Sequence, residues 1–322
     1  MRVTTKATLW VLAAVVVGCG GKKEEPAPAT EPAPAPVSAP EEPGAAEADT
    51  AAPEAPKYSP EAAAKLVTAM EACEYDFNCD AYEPLVAFGP DAGPQLLALA
   101  MDESKPAKGR GVAILALGAT KSKVDVAALY ASVKKADDYS LSSAFEKGVG
   151  GFATGDEAFR DAMRKEYAES DDVMSARHVL QALPGTVDWA LAQLEAEHAE
   201  DVEVRYADLV WDLAKAEELP RIQGLLNGEQ LKDPMARHRL AAKAIQLGDA
   251  SRYGILLDGL ASDDQYNRAD AANFFSEVAK DVPADQKAKA IELLKAGLAK
   301  DAGGLTASGY QKSLKALGAS AK

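Results

Sequence analysis

The stretch from Asp233 to Gly248, DPMARHRLAAKAIQLG, decides how the rest of the chain is read. Asp233 is a good N-cap, and Pro234 suits the first helical position, where a backbone N–H would be unpaired anyway. Ala236, Leu240, Ala241, Ala244 and Ile245 then recur at the spacing of one apolar helix face. Gly248 closes the segment as a C-cap. A second helix, Ser251 to Leu260, carries Ile255, Leu256 and Leu260 and stops before Ser262-Asp263-Asp264, where the cycle restarts. So short a connection makes the two helices antiparallel neighbours.

The opening motif returns. Asp201-Val-Glu-Val-Arg205, Asp233-Pro-Met-Ala-Arg237 and Asp264-Gln-Tyr-Asn-Arg268 share the form D-x-x-x-R at spacings of 32 and 31 residues. A looser copy, Asp172-Val-Met-Ser-Ala-Arg177, precedes them, and Lys105-Pro-Ala-Lys-Gly-Arg110 lies about two periods earlier. A repeat of this length with two helices per unit means a solenoid. The Asp caps a helix, and the Arg, one turn along the same face, is placed to reach a carboxylate of its own or the preceding unit. Read as function, the arginines would form an anion-binding stripe, but each has an acid beside it in the sequence.

These residues resemble the HEAT-repeat family, whose units pair two antiparallel helices with an Asp near the inter-helix turn and an Arg in the second helix. The resemblance implies an all-α fold, an α-solenoid of about seven helix pairs between roughly Leu85 and Ala319. The chain departs from the pattern around Tyr139 to Phe152, where the Arg is absent and Gly148-Val149-Gly150-Gly151 is expected to kink or break the helix. The last unit, from Asp301, also lacks the Arg and is expected to cap the stack. The tetratricopeptide pattern, with its fixed period and its Trp, Gly and Tyr positions, is not found.

Bulk composition agrees. Of 322 residues, 48% are hydrophobic and only 6% aromatic, which suffices for a sizeable core, and β-branched alternation is scarce. The formal charge of -15 disfavours nucleic acid and anionic lipid as partners.

The N-terminus is organised differently. Arg2 and Lys6 precede an uncharged, mostly apolar run from Ala7 to Val17. Eleven residues span about 16 Å as a helix, far short of the roughly 30 Å hydrocarbon core, so a permanent span is not expected. Val16-Val17-Gly18-Cys19 resembles the lipobox of bacterial lipoproteins. That resemblance implies a signal peptide over residues 1–18, cleavage between Gly18 and Cys19, and lipidation of Cys19 with a diacylglycerol on sulfur and an acyl chain such as palmitate on its new amino group. Several acyl chains, at about 0.8 kcal/mol per buried CH₂, make a stable membrane anchor. Gly20, where an Asp is associated with retention at the inner membrane, points to the outer membrane of the cell envelope, with the domain facing the periplasm or the surface.

Residues 19–57 then form a linker. Nine of the chain's 18 prolines fall between residues 20 and 57, interleaved with Ala and Glu, so the segment cannot bury enough surface to order itself. A disordered, polyproline-leaning tether is expected, reaching on the order of 100 Å when extended. Residues 58–322 are the repeat domain, with 42 acidic against 30 basic residues and hence a formal charge of -12.

Cys73 and Cys79 stand at the domain's entrance. In one continuous helix, six residues would separate them by about 9 Å of rise, beyond the roughly 7 Å limit for a bridge. A disulfide therefore requires the helix Ser59 to Glu71 to end first, which the turn-prone Asp76 and Asn78 permit. Export to an oxidising compartment makes that disulfide the expectation. A metal or redox pair would want tighter spacing or a nearby His. Asp76-x-Asn78-x-Asp80 copies the opening of a calcium loop, but Ala81 and Ala87 occupy the positions that need Gly and Glu, so no metal is expected there.

No site for chemistry is visible. His178, His198 and His238 are the only histidines and share no ligand spacing. No nucleophile elbow, phosphate loop or dinucleotide fingerprint occurs, so no enzyme, catalytic residue or cofactor is expected. The expectation is a lipid-anchored envelope scaffold that binds a protein partner through its repeat surface. The alternatives are a binding module for peptidoglycan or another envelope ligand, using Tyr75, Phe77 and Tyr82, and an enzyme without a recognisable motif.

Overall fold

The computed structural model of the protein describes residues 57–170, 173–196, 202–301 and 307–320. The expected signal peptide, Gly18, Cys19, almost all of the expected linker, Asp172, Asp201 and His198 lie outside the described residues. Among those described, the chain is all α-helical, with no strand.

Two helices form the entrance: α1 (Pro60–Met70) and α2 (Tyr82–Ala87). The Ser59 hydroxyl caps α1 by accepting from the Ala62 amide, and the helix ends before Cys73, as a bridge to Cys79 requires. Seven antiparallel pairs follow: α3 (Gly93–Met101) with α4 (Ala107–Ala119), α5 (Val126–Ala136) with α6 (Tyr139–Phe152), and α7 (Glu157–Glu169) with α8 (Met174–Ala182). Then come α9 (Thr186–Glu195) with α10 (Glu203–Leu213), α11 (Leu219–Asn227) with α12 (Pro234–Gln246), α13 (Tyr253–Leu260) with α14 (Gln265–Val278), and α15 (Ala284–Lys300) with α16 (Ala307–Ala316). The pairs stack into an α-solenoid. One hydrophobic core runs its length, from Met70 and Leu85 through Leu191 and Leu240 to Leu294 and Leu314.

From α4 onward the even-numbered helices form one row and the odd-numbered helices from α3 the other. The even row packs more closely on itself than the odd row does, except between α8 and α10. The even helices are called the inner layer.

The glycines of α6 correct the expectation of a break. α6 is continuous from Tyr139 to Phe152, and its glycines face neighbouring backbones. A Cβ on Gly148 would lie 2.9 Å from the Ile114 carbonyl oxygen, one on Gly150 2.9 Å from that of Ala182, and one on Gly118 2.5 Å from that of Gly148. Gly151 presses equally on Gly118. A glycine in a helix costs about 1 kcal/mol of propensity, and here contact between the α4 and α6 backbones offsets it.

Candidate functional site on the inner helix layer

Two of the helix caps, Asp233 and Asp264, fall where the repeat motif put them, whereas the N-cap positions of α8 and α10 are Val173 and Val202, without a side-chain cap. The Asp233 carboxylate accepts from the Met235 amide at 2.7 Å, and Asp264 from the Asn267 amide at 2.8 Å. The arginines depart from expectation. Arg110 Nε donates to the Ala100 carbonyl at 2.9 Å, Arg237 to Leu226 at 3.2 Å, Arg205 to Ser170 at 2.8 Å, and Arg268 to Ser262 and Asp263 at 2.8 and 2.7 Å. All these carbonyls lie at or just beyond the end of an odd-numbered helix, where carbonyls lack intrahelical donors. A five-donor guanidinium satisfies several at once. Where carboxylates are engaged, they belong to the following unit: Asp208 and Asp212 for Arg177, Asp301 for Arg268. Buried Glu203 adds a link that the motif did not reveal, accepting from the Lys232 and Asp233 amides of the next unit.

Those carboxylates open onto a larger arrangement. Arg177 and Gln181 on α8, Asp208 and Asp212 on α10, Arg239 and Lys243 on α12, and Asp270 and Phe274 on α14 are each i,i+4 pairs, so each pair shares a face of its helix. Arg177 meets Asp212 at 2.5 Å and Asp208 at 3.2 Å. Arg239 meets Asp208 at 2.5 Å and Asp270 at 2.9 Å, and His238 Nδ1 lies 3.0 Å from Asp270. Charge alternates along a ladder crossing four successive inner helices. One repeat earlier, His178 lies 3.1 Å from Glu146 of α6. Burial works to lower the Arg177 pKa, but the hydrogen bond it donates to Asp212 and the charges of Asp208 and Asp212 raise it above the ordinary guanidinium value.

Aromatic groups sit on the same layer. Trp211 of α10 and Phe274 of α14 meet edge to face with centroids 5.0 Å apart, although α12 lies between their helices in the row. The Arg239 guanidinium lies 4.8 Å from the Phe274 centroid, and Lys243 Nζ lies 5.8 Å from that of Trp211. Burial pushes the Lys243 ammonium below its ordinary pKa, with Asp212 and Glu218 opposing the shift.

The exposed apolar side chains mark one edge of this layer. Among the described residues, the exposed large hydrophobics are Tyr75, Phe77, Tyr139, Met174 and Tyr266. Tyr139, Met174 and Tyr266 lie in the first turns of α6, α8 and α14, and the even helices run parallel, so all three project at the same end of the layer. Tyr75 and Phe77 stack at 5.2 Å on the loop after α1, and Lys108 from the first turn of α4 reaches over the Tyr75 ring, which brings this loop to the same edge. A cleft of about 260 Å³ lies there, lined by Tyr75, Lys108, Leu115, Tyr139, Ser143 and Lys147 among others. Of the three aromatics expected to bind a ligand, only Tyr75 lines it; Phe77 and Tyr82 do not. The Tyr82 ring is half-buried, and burial together with the charges of Asp76 and Glu83 raises its hydroxyl pKa.

Cys73 and Cys79 lie at this entrance with Cα atoms 5.4 Å apart and their sulfurs in contact, a separation that a disulfide spans. His238 is buried and His178 half-buried, and each faces a carboxylate. Among the described residues no group of three or more His, Cys, Asp or Glu is placed to hold a metal ion, and no helix is long and apolar enough to cross a membrane.

No family model matches the chain, and no curated protein matches its sequence.

Proposed function

We propose that the protein is a lipid-anchored envelope scaffold, without enzymatic activity, whose inner helix layer binds another protein. The observation that carries this reading is the row of exposed Tyr139, Met174 and Tyr266 along one edge of the layer, with Trp211 and Phe274 flanked by Arg239 and Lys243 on the same layer. Aromatics, Met and Arg are the residue types enriched at protein interfaces, and large exposed apolar groups sharing one edge mark a contact surface. The parallel inner helices present these groups at successive repeats, which suits an elongated partner.

A photocrosslinking residue placed at Tyr266 in the lipidated protein tests the reading in intact cells. It should capture one discrete envelope protein, and the same probe at exposed Lys123 should not. Equal, diffuse labelling from both positions removes the assignment of this edge as the binding surface. Anchorage has its own test: Cys19→Ala should abolish labelling by radioactive palmitate and release the protein from membranes.

The entrance cleft favours a second reading, binding of an envelope glycan such as peptidoglycan. It joins an aromatic ring from α6 to serine hydroxyls and lysine, and Tyr139 is the side chain to change. Co-sedimentation with peptidoglycan unaltered by Tyr139→Ala removes this site from consideration.

A further inference from the structure

Charge is unevenly divided along the repeat domain. Residues 58–279 carry 38 acidic and 22 basic residues, whereas residues 280–322 carry four acidic and eight lysines. One of those four acids, Asp301, is buried against Arg268 and Tyr310 and does not offset the surface charge. Lys280, Lys287, Lys289, Lys295, Lys312 and Lys315 are exposed, and none forms an ion pair among the described residues.

Four lysines nearer the domain's entrance are paired, whereas Lys65, Lys121 and Lys123 there are exposed and form no ion pair among the described residues. Lys105 pairs with Glu71, Lys108 with Glu74, Lys135 with Glu103 and Lys134 with Glu166, each with a glutamate about one repeat away. What sets α15 and α16 apart is an excess of lysine: Lys287, Lys289, Lys295, Lys300, Lys312 and Lys315 are exposed on them against two exposed acids, Asp285 and Glu292, within an otherwise acidic domain.

We infer that this surface of α15 and α16 is a docking face for an anionic phospholipid membrane. The chemistry favours a membrane over a protein or a discrete anion. There is no arginine after Arg268 to make bidentate contacts, and no exposed aromatic or large aliphatic anchor lies in this region. Lysine is a mobile point charge, suited to a diffuse array of headgroups, and contributes about 1 kcal/mol each near an anionic leaflet. The acidic remainder of the domain does not prevent this, because charges beyond about 10 Å are screened at roughly 0.1 M salt. The inference goes beyond the proposed scaffold role and depends on neither the lipid nor the protein partner.

The test uses the full chain carrying Cys19→Ala, so that no acyl anchor contributes, in flotation with vesicles of phosphatidylcholine alone or mixed with phosphatidylglycerol. Binding is expected only to the mixed vesicles, and it should weaken steeply between about 0.02 M and about 0.5 M salt. Changing Lys287, Lys289, Lys312 and Lys315 together to Gln should weaken it by up to about a thousandfold. The same change at exposed Lys65, Lys121, Lys123 and Lys165 controls for bulk charge and should leave most of the binding. Equal loss in the two variants, equal binding to neutral vesicles, or capture on polyglutamate resin but not on vesicles each overturns the inference. Any of these results leaves the lipidation of Cys19 and the partner-binding edge standing.

Discussion

Arg268 and Asp301 join the last two helix pairs through two parallel hydrogen bonds, Nη2 to Oδ1 at 2.7 Å and Nε to Oδ2 at 3.2 Å, and both side chains are almost wholly buried. The Tyr310 hydroxyl donates to the same carboxylate at 2.6 Å. Removing one member of such a pair leaves the other charged and desolvated, so Asp301→Ala should destabilise the domain by about 3 kcal/mol or more. Arg268→Ala should cost a similar amount, and the double variant distinctly less than the sum, measured by urea unfolding.

Asp249 supplies a pH dependence. Burial works to raise its carboxyl pKa, but hydrogen bonds from Ser251, Gln223 and Arg252 outweigh that and bring it down to about 2. A depressed folded pKa gives stability that is complete above the ordinary aspartate value of about 3.9 and is lost as pH falls towards the folded value. Asp249→Asn should therefore lower stability near neutral pH and flatten the loss that wild type shows from about pH 4 down to about pH 2. Parallel curves for the two proteins across that window, from urea melts, would refute the assignment.

Two glycine positions predict opposite signs. At Gly118 an added methyl meets the backbone of α6, so Gly118→Ala should destabilise by roughly 1–3 kcal/mol despite alanine's better propensity. Gly224, inside α11, has nothing within 4 Å of the point a Cβ would occupy, so Gly224→Ala should stabilise by about 0.5–1 kcal/mol. Thermal melts of the pair read both.

The entrance pair gives a redox prediction. Mass spectrometry of the protein purified from its native host without reductant should find Cys73 and Cys79 oxidised to each other, and Cys73→Ser with Cys79→Ser should cost about 2 kcal/mol. Two free thiols would dismiss the bridge.

Much of the fold was legible because its signals are local. Asp233, Pro234 and Asp264 carry cap chemistry within a few residues of where it acts, and the period of about 31 residues set the stacking. Gly148 to Gly151 misled because helix-breaking is the local property of glycine, while the reason for these glycines is a backbone some 30 residues away in sequence. The ladder from Arg177 to Asp270 was invisible for the same reason. Its partners are 31 to 35 residues apart, and only the stacking of parallel inner helices shows which acid each arginine faces. Tyr75, Phe77 and Tyr82 looked equivalent in the sequence, but only Tyr75 lines the cleft, and the aromatic ring that joins it there is Tyr139 from α6.

The glycine seam between α4 and α6 bears on how the solenoid yields under load. A joint formed by long side chains gives way through rotamer changes, each worth little, but a joint of backbone on backbone has no such soft coordinate. Bending is accordingly directed to other joints of the stack, while the two repeats at the seam move as one stiff block.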